Sequence, residues 1–204
     1  MRTAKTVLTV IQERGKQKKP IERVYKLLFN RELYLNAYAK LYPNNGAMTK
    51  GVTDETVDGM SIQKIDRMIE ILREEKYQWK PARREYIKKK NGKKRPLGIP
   101  VWGDKVLQEV MRQILEAYYE PQFSEHSHGF RPNRGCHTAL QEIQVWKGTR
   151  WFIEGDISQY FDTIDHKILL EILARNIHDG RFIRLVSNML EAGYLEEWKF
   201  NQTI

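Results

Sequence analysis

The chain has 204 residues and a mass of 24.3 kDa, with 41% hydrophobic and 30% charged residues and a net charge of +9. That length allows one domain or two lobes with a full core, and the single cysteine, Cys136, excludes a disulfide framework and a cysteine-based metal cluster. No apolar stretch approaches membrane-spanning length and the N-terminus lacks the apolar core of a signal peptide, so an intracellular protein is expected. The charge is unevenly spread. Residues 1–100 carry 24 Lys+Arg against 11 Asp+Glu, and residues 101–204 carry 11 against 15. A basic first half suits a polyanion, and a slightly acidic second half suits cations.

In chain order, Val7, Val10 and Ile11 predict a short first helix, followed by a linker at Lys16–Pro20. Val24, Tyr25, Leu28, Tyr34, Ala37, Tyr38 and Leu41 recur at helical spacing and predict one helix from about 22 to 41. Residues 43–60, rich in Asn, Gly, Thr and Asp, read as an ordered loop, and Gly46 and Gly51 suit close backbone approach to nucleic acid. Ser61 then caps a helix with Ile62, Ile65, Met68, Ile69 and Leu72 on one face. Residues 83–99 predict a β-hairpin around Asn91-Gly92. Helices are expected at 104–119, at about 134–147, near 165–176 and at 180–192, the third of them capped by Asp165. Helices with few strands give an α+β class.

Between Arg83 and Arg95 eight of thirteen residues are Lys or Arg, interleaved with Tyr86 and Ile87. A projecting hairpin so charged needs phosphate or water around it, and contacts of that kind bring affinity without reading sequence. The bland alternative is a solvated edge kept from aggregating by lysine. The segment Trp151–Ile157 alternates and predicts a strand with Trp151, Ile153, Gly155 and Ile157 on one face and carboxylates on the other. Ser158 and Gln159 bend the chain, and Phe161 follows Asp156 by five residues. A carboxylate at the end of a strand, beside a backbone turn, can hold a hard divalent cation, although an Asp in that place is more often structural.

Asp156-Ile157-Ser158-Gln159-Tyr160-Phe161-Asp162 resembles the first catalytic motif of reverse transcriptases. Arg95-Pro96-Leu97-Gly98-Ile99-Pro100 is similar to their fingers motif, and Ser127-His128-Gly129-Phe130-Arg131-Pro132-Asn133-Arg134 to the motif between fingers and palm. With Leu41–Gly51, which resembles an N-terminal extension, these identify the chain as similar to group II intron-encoded reverse transcriptases, or maturases, from about residue 20 onward.

The resemblance implies helix-rich fingers with a basic β-hairpin, followed by the start of a right-hand polymerase palm. The expected division is 1–20 as helix and linker, 21–145 as fingers with the extension, and 146–204 as a truncated palm. It implies RNA-templated DNA synthesis, with Asp156 as catalytic and metal-binding residue, the Ile157 carbonyl completing a coordination shell, and two Mg²⁺ ions. Lys89, Arg95 and Phe161 are expected at the nucleotide, Phe161 under the sugar. Arg131, Lys88, Lys93, Lys94, Asn45 and Gly46 are expected at template or intron RNA. A two-residue Asn91-Gly92 turn would pair Lys88 with Arg95 and turn Lys89 to the other face. The family usually has Pro where Lys88 stands, so either the loop is longer or Lys88 takes the role. For Arg131 the alternative is an ion pair beside a helix start.

Expected partners are group II intron RNA, an RNA template with its DNA primer, and deoxynucleoside triphosphates, with no membrane and with homodimerisation left open. The expected compartment is bacterial cytoplasm or an organellar matrix. The later Tyr-x-Asp-Asp motif is absent from these 204 residues, so the chain is expected to be inactive alone and to be part of a longer protein. The competing reading is an RNA-binding splicing cofactor without polymerase chemistry. A retron-type enzyme is a further alternative, against which residues 41–51 argue.

Overall fold

A computed structural model describes residues 2–88, 92, 94–197 and 199–202. Helix α1 (Ala4–Lys16) is capped by Thr3, whose side chain accepts from the Thr6 N–H. The expected helix over 22–41 is divided. A short strand β1 (Ile21–Glu22) is followed by a 3-10 helix (Val24–Phe29) and then by α2 (Arg31–Leu41). Two residues cause the break. Arg23 stands at φ 56°, outside the right-handed helical region, and the Asn30 side chain caps α2 by accepting from the Glu32 N–H. Apolar spacing continues across the break because Val24, Tyr25, Leu28, Leu33, Tyr34 and Ala37 all reach the same core.

Ser61 accepts from the Lys64 N–H and starts α3 (Ile62–Arg73) as expected. Strands β2 (Ala82–Lys88) and β3 (Lys94–Ile99) form the expected hairpin and lead into α4 (Trp102–Tyr119). Next come α5 (Cys136–Gln144), a single turn α6 (Tyr160–Thr163) and α7 (His166–Ala174), where the Asp165 carboxylate accepts from the Ile168 N–H as expected. Strand β4 (Ile177–His178), α8 (Gly180–Glu191), β5 (Tyr194–Glu196) and β6 (Lys199–Asn201) complete the order. The class is mixed helix and strand. Among the described residues no helix is long and apolar enough to cross a membrane.

The core is built on α4. Its Val106, Leu107, Val110, Met111, Ile114 and Tyr118 are buried together with residues of α1, α2, α3 and α8. Strand β1 pairs in parallel with β4, and Asp179 closes the same junction by accepting the Tyr25 N–H, 154 residues away in sequence, besides capping α8. A four-stranded mixed sheet runs β3-β2-β5-β6, with β2 parallel to β5 through Ala82↔Tyr194 and Arg83↔Leu195. The β5–β6 hairpin was not expected from sequence.

The segment 151–157 is not a strand. It pairs with none of the described strands, and Trp151 and Ile153 are 87% and 94% exposed. Alternation marks two faces, but a strand exists only where a neighbour takes its N–H and C=O groups.

Helix α1 crosses α4 at Gly15, where an added Cβ would lie 2.1 Å from the Tyr118 carbonyl oxygen and 2.9 Å from its carbon. Ala in a helix is intrinsically better than Gly by about 1 kcal/mol. Here the clash with backbone outweighs that preference. Gly15→Ala is expected to lower stability by about 1–3 kcal/mol, read as a lower melting temperature. A melting temperature equal to or above wild type would show that the α1–α4 crossing is not this tight.

Candidate nucleic-acid interface

The register of the hairpin decides between the two alternatives for its loop, in favour of one longer than two residues. Lys88 pairs with Lys94 and Ile87 with Arg95, so Lys88 does not face Arg95 and residues 89–93 connect the strands. A two-residue Asn91-Gly92 turn would require a register shifted by one. Gly92 alone of that connection is described, at φ 78°. Lys89 and Lys93 lie outside the described residues. On the hairpin, Arg95 shares a face with Ile87, and Lys94 one with Lys88 and Tyr86. The Lys94 ammonium lies 5.9 Å from the Tyr86 ring centroid, whereas Lys88 and Arg95 have no partner among the described residues. Three or more cations on a two-stranded edge, with few carboxylates to close them, is an arrangement that takes polyanion backbone.

The loop 43–51 is fastened beside the base of this hairpin. Lys105, on α4, donates to the carbonyls of Gly46 (3.3 Å) and Thr49 (2.9 Å), and Arg83, on β2, donates twice to the Lys50 carbonyl at 3.1 and 2.9 Å. Burial lowers the Lys105 pKa, with Arg83 adding to the shift, so this ammonium is costly and its two carbonyl acceptors matter. Ala47 is buried and anchors the loop, while Asn45 and Gly46 are exposed. Neither Lys105 nor Arg83 stood out in the sequence. The first was one of several charges on an amphipathic helix, and the second was one more charge in a basic run.

Gly51 is required by the chain's own backbone. A Cβ there would lie 2.7 Å from the Val101 nitrogen and 2.9 Å from the Pro100 carbonyl carbon and oxygen. At Gly46 it would meet nothing within 4 Å.

Arg131 is 8% exposed at its side chain, and its guanidinium is held by a carboxylate and two carbonyls. Nε donates to both Glu120 carboxylate oxygens, Nη2 pairs with Glu120 at 2.9 Å, and Nη1 donates to the carbonyls of Ser124 and Ser127 at 2.6 and 2.7 Å. It also stands over the Phe123 ring at 5.4 Å. In this geometry Arg131 braces the loop 124–131. Nearby, Glu142 takes His128 at 2.8 Å and also His126. Hydrogen bonds from His128, then from His126, hold its carboxyl below the usual carboxylate range. His128 also bonds Thr138 at 2.8 Å, which ties the loop to α5. Phe130, at φ 57°, projects fully into solvent on the rim of a cleft of about 990 Å³ whose apolar walls include Met111, Leu115, Tyr119 and Met189.

Asp156 and Ile157 lie in the exposed extended segment, and Asp156 has no hydrogen bond or ion pair among the described residues. The turn expected at Ser158-Gln159 is present, with Gln159 at φ 52°, and it starts α6, which carries Phe161. The Phe161 side chain lies outside the described residues. No group of three His, Cys, Asp or Glu side chains gathers among the described residues. The donors at Asp156 and Ile157 are hard oxygens, the kind Mg²⁺ prefers, and Asp156 is free to offer them. The structure does not bring Asp156 into a hydrogen bond or ion pair with the hairpin or with Arg131.

Residues 87–203 match the family model described as reverse transcriptase (RNA-dependent DNA polymerase). The chain is 49% identical over 183 residues to the group II intron-encoded protein LtrA of Lactococcus lactis subsp. cremoris, a match covering 89% of this chain and 31% of that protein. The chain belongs to the group II intron-encoded reverse transcriptase family. An uncharacterized 91 kDa protein in the cob intron of Schizosaccharomyces pombe is 46% identical over 209 residues, covering 98% of this chain and 26% of its own length. The nuclear intron maturase 1, mitochondrial, of Arabidopsis thaliana is 36% identical over 93 residues, 45% of this chain and 13% of that protein. The chain thus spans about a third or less of these relatives.

The fastening of the loop 43–51 to the hairpin base is testable. Gly51→Ala is expected to unseat residues 43–51, raising their amide exchange and costing about 1–3 kcal/mol of stability. Gly46→Ala, facing open space, should change neither. Equal behaviour of the two variants would show that the loop does not depend on its seat against Pro100 and Val101.

Proposed function

We propose that the chain forms the fingers (21–145) and the N-terminal part of the palm (146–204) of an intron-encoded RNA-directed DNA polymerase that also binds its intron RNA and assists splicing and mobility. Residues 1–20 then serve as a helix and linker leading into the fingers. The observation that carries this reading is the joining of the basic hairpin and the loop 43–51 into one unit through Arg83 and Lys105. A template strand held between them would be gripped by parts that cannot move apart independently.

In the proposed reaction the primer 3′-hydroxyl oxygen attacks the α-phosphorus of a deoxynucleoside triphosphate and the bond to the pyrophosphate oxygen breaks. Lys89 and Arg95 would face the triphosphate, with Lys88, Lys93 and Lys94 alongside on template or intron RNA. Asn45 and Gly46 would line the template from the loop, and Arg131 would act through the loop it braces. Phe161 would lie under the sugar and exclude a 2′-hydroxyl. The Asp156 carboxylate and the Ile157 carbonyl would hold Mg²⁺, two ions in the complete site. When bound, these ions neutralise charge on the attacking and leaving oxygens. One carboxylate does not offset the repulsion between two close cations, so the chain is proposed to be inactive without further carboxylates.

RNA-templated primer extension by the full-length protein tests the reading. Asp156→Asn should abolish extension while leaving RNA affinity and the circular dichroism spectrum unchanged. Retained extension would remove Asp156 from the chemistry, and an altered spectrum would make it structural. Phe161→Ala should raise ribonucleotide over deoxynucleotide incorporation. An unchanged ratio with a large fall in melting temperature would assign Phe161 to packing instead.

Binding of RNA should weaken with salt, log affinity falling by about 0.7 per phosphate contact on a single strand. Replacing Lys88, Lys89, Lys93 and Lys94 by Gln should flatten that slope. A slope that does not change would place the RNA elsewhere than the hairpin.

A further inference from the structure

Arg83 and Arg84 are neighbours on β2 and therefore leave it on opposite faces of the sheet. Arg83 turns to the Lys50 carbonyl. Arg84 turns the other way, and its guanidinium carbon lies 3.6 Å from the centroid of the Tyr194 ring on β5. Strands β2 and β5 are laddered through the pairs Ala82↔Tyr194 and Arg83↔Leu195, so this stack carries the contact one residue further toward the hairpin tip. Tyr86, two residues beyond Arg84 on the same face, continues it. A hydrogen bond to Glu196 of β5 raises the Tyr86 hydroxyl, with one from Arg84 opposing.

Two observations make this row an abutment for the hairpin. The Arg84 Nε is buried and has no hydrogen-bond partner, so the flat face of the guanidinium, and not its edge at Nε, carries the contact. A planar guanidinium stacks on an aromatic face in a way that a lysine ammonium does not. The β5–β6 hairpin behind it is tightly closed. Gly193, at φ 68°, leads into β5, and an added Cβ there would lie 2.4 Å from the Asn201 carbonyl oxygen and 2.7 Å from the Phe200 ring. The Ala82 N–H donates to the Gly193 carbonyl at 3.0 Å, which joins that closed corner to the base of β2.

We infer that Arg84 is a positioning residue for the incoming deoxynucleoside triphosphate: stacked on Tyr194, it sets the angle at which the β2–β3 hairpin presents Arg95. The inference rests on the proposed place of Arg95 at the triphosphate. Arg95 pairs with Ile87, three residues beyond Arg84 and so about 10 Å along the strand. Over that lever a tilt of about 6° at Arg84 moves Arg95 by about 1 Å, a displacement large enough to matter at a reacting ligand. The Arg84 guanidinium faces Tyr194, so it acts on the nucleotide through the strand. Without the stack the hairpin samples other angles, and apparent affinity for the nucleotide falls with the fraction that remains ready to bind.

Single-nucleotide extension by the full-length protein on an RNA template tests this, with the half-maximal deoxynucleotide concentration and the maximal rate read separately. Arg84→Ala should raise the half-maximal concentration about fivefold, the loss of one cation–π contact, with the maximal rate held within about twofold. Tyr194→Ala should do the same, and the double variant should be no worse than either alone. Tyr194→Phe, which keeps the ring, should behave as wild type. Additive effects of the two alanine variants overturn the stack. A lower melting temperature with an unchanged half-maximal concentration makes Arg84 structural and overturns the inference. Should Arg84→Ala fail to fold, Tyr194→Ala against Tyr194→Phe decides, and equal values for the two overturn it. Arg95→Ala separates the inference from the reading beneath it. A rise in Arg95→Ala with none in Arg84→Ala overturns the positioning role and leaves Arg95 at the triphosphate. A rise in Arg84→Ala alone overturns the route through Arg95, and no rise in either overturns both.

Discussion

The burial of α4 is the constraint on which the remaining structure depends. Its apolar face holds α1, α2, α3 and α8 in one core, and its polar residues fix what lies outside that core. Asp104 receives the Tyr77 hydroxyl and the Lys80 N–H, Lys105 donates to two loop carbonyls, and Glu109 is paired with Arg112 and Lys40. A charge taken out of water is tolerated only where partners replace the solvent. Burial raises the Asp104 carboxyl, and the Tyr77 and Lys80 hydrogen bonds oppose it without cancelling it. At Glu109 burial also raises the carboxyl, but Arg112 and Lys40 outweigh it and the net shift is downward. One helix therefore serves as both core and positioning frame, and movement of any attached segment has to break a hydrogen bond at a buried or half-buried site.

The same logic explains why the loop 43–51 and the hairpin form a unit. Carbonyl oxygens of Gly46, Thr49 and Lys50 turn toward Lys105 and Arg83, while Gly51 presses on Pro100–Val101, the residues that join β3 to α4. The loop is thus attached to the strand that enters the hairpin, to the residues that leave it and to the helix that follows.

Local chemistry was legible in the sequence and distant partnership was not. Ser61 and Asp165 cap the helices they were expected to cap, because a cap needs only its own next three residues. The hairpin was legible as an element, but its register was not, since Asn-Gly favours a two-residue turn and the strands pair one residue away from it. The break in the helix at 23–30 involves the Tyr25 N–H, whose acceptor is Asp179. Alternation over 151–157 marks two faces and says nothing of which strand would complete them. Asp156 was readable as a candidate from its motif, whereas the roles of Lys105 and Arg83 arise only when separate segments meet.

Arg131 is closed by Glu120 and by two loop carbonyls, and the contrast with the hairpin shows where free charge resides. Arg112, Arg131, Arg181 and Arg184 all lie in ion pairs with Glu109, Glu116, Glu120, Glu75 or Asp179. Lys88, Arg95 and Arg67 have no such partner among the described residues. An arginine already closed by a carboxylate releases no counterions from a nucleic acid, because it has no net charge to give. The cations that count toward a polyanion are the unpaired ones, and these examples all come from the first half of the chain. Ion pairs also close cations of the first half, among them Lys16, Arg31, Lys40, Lys50, Arg73 and Lys76, so which charges stay available to a polyanion is set by the fold as much as by composition.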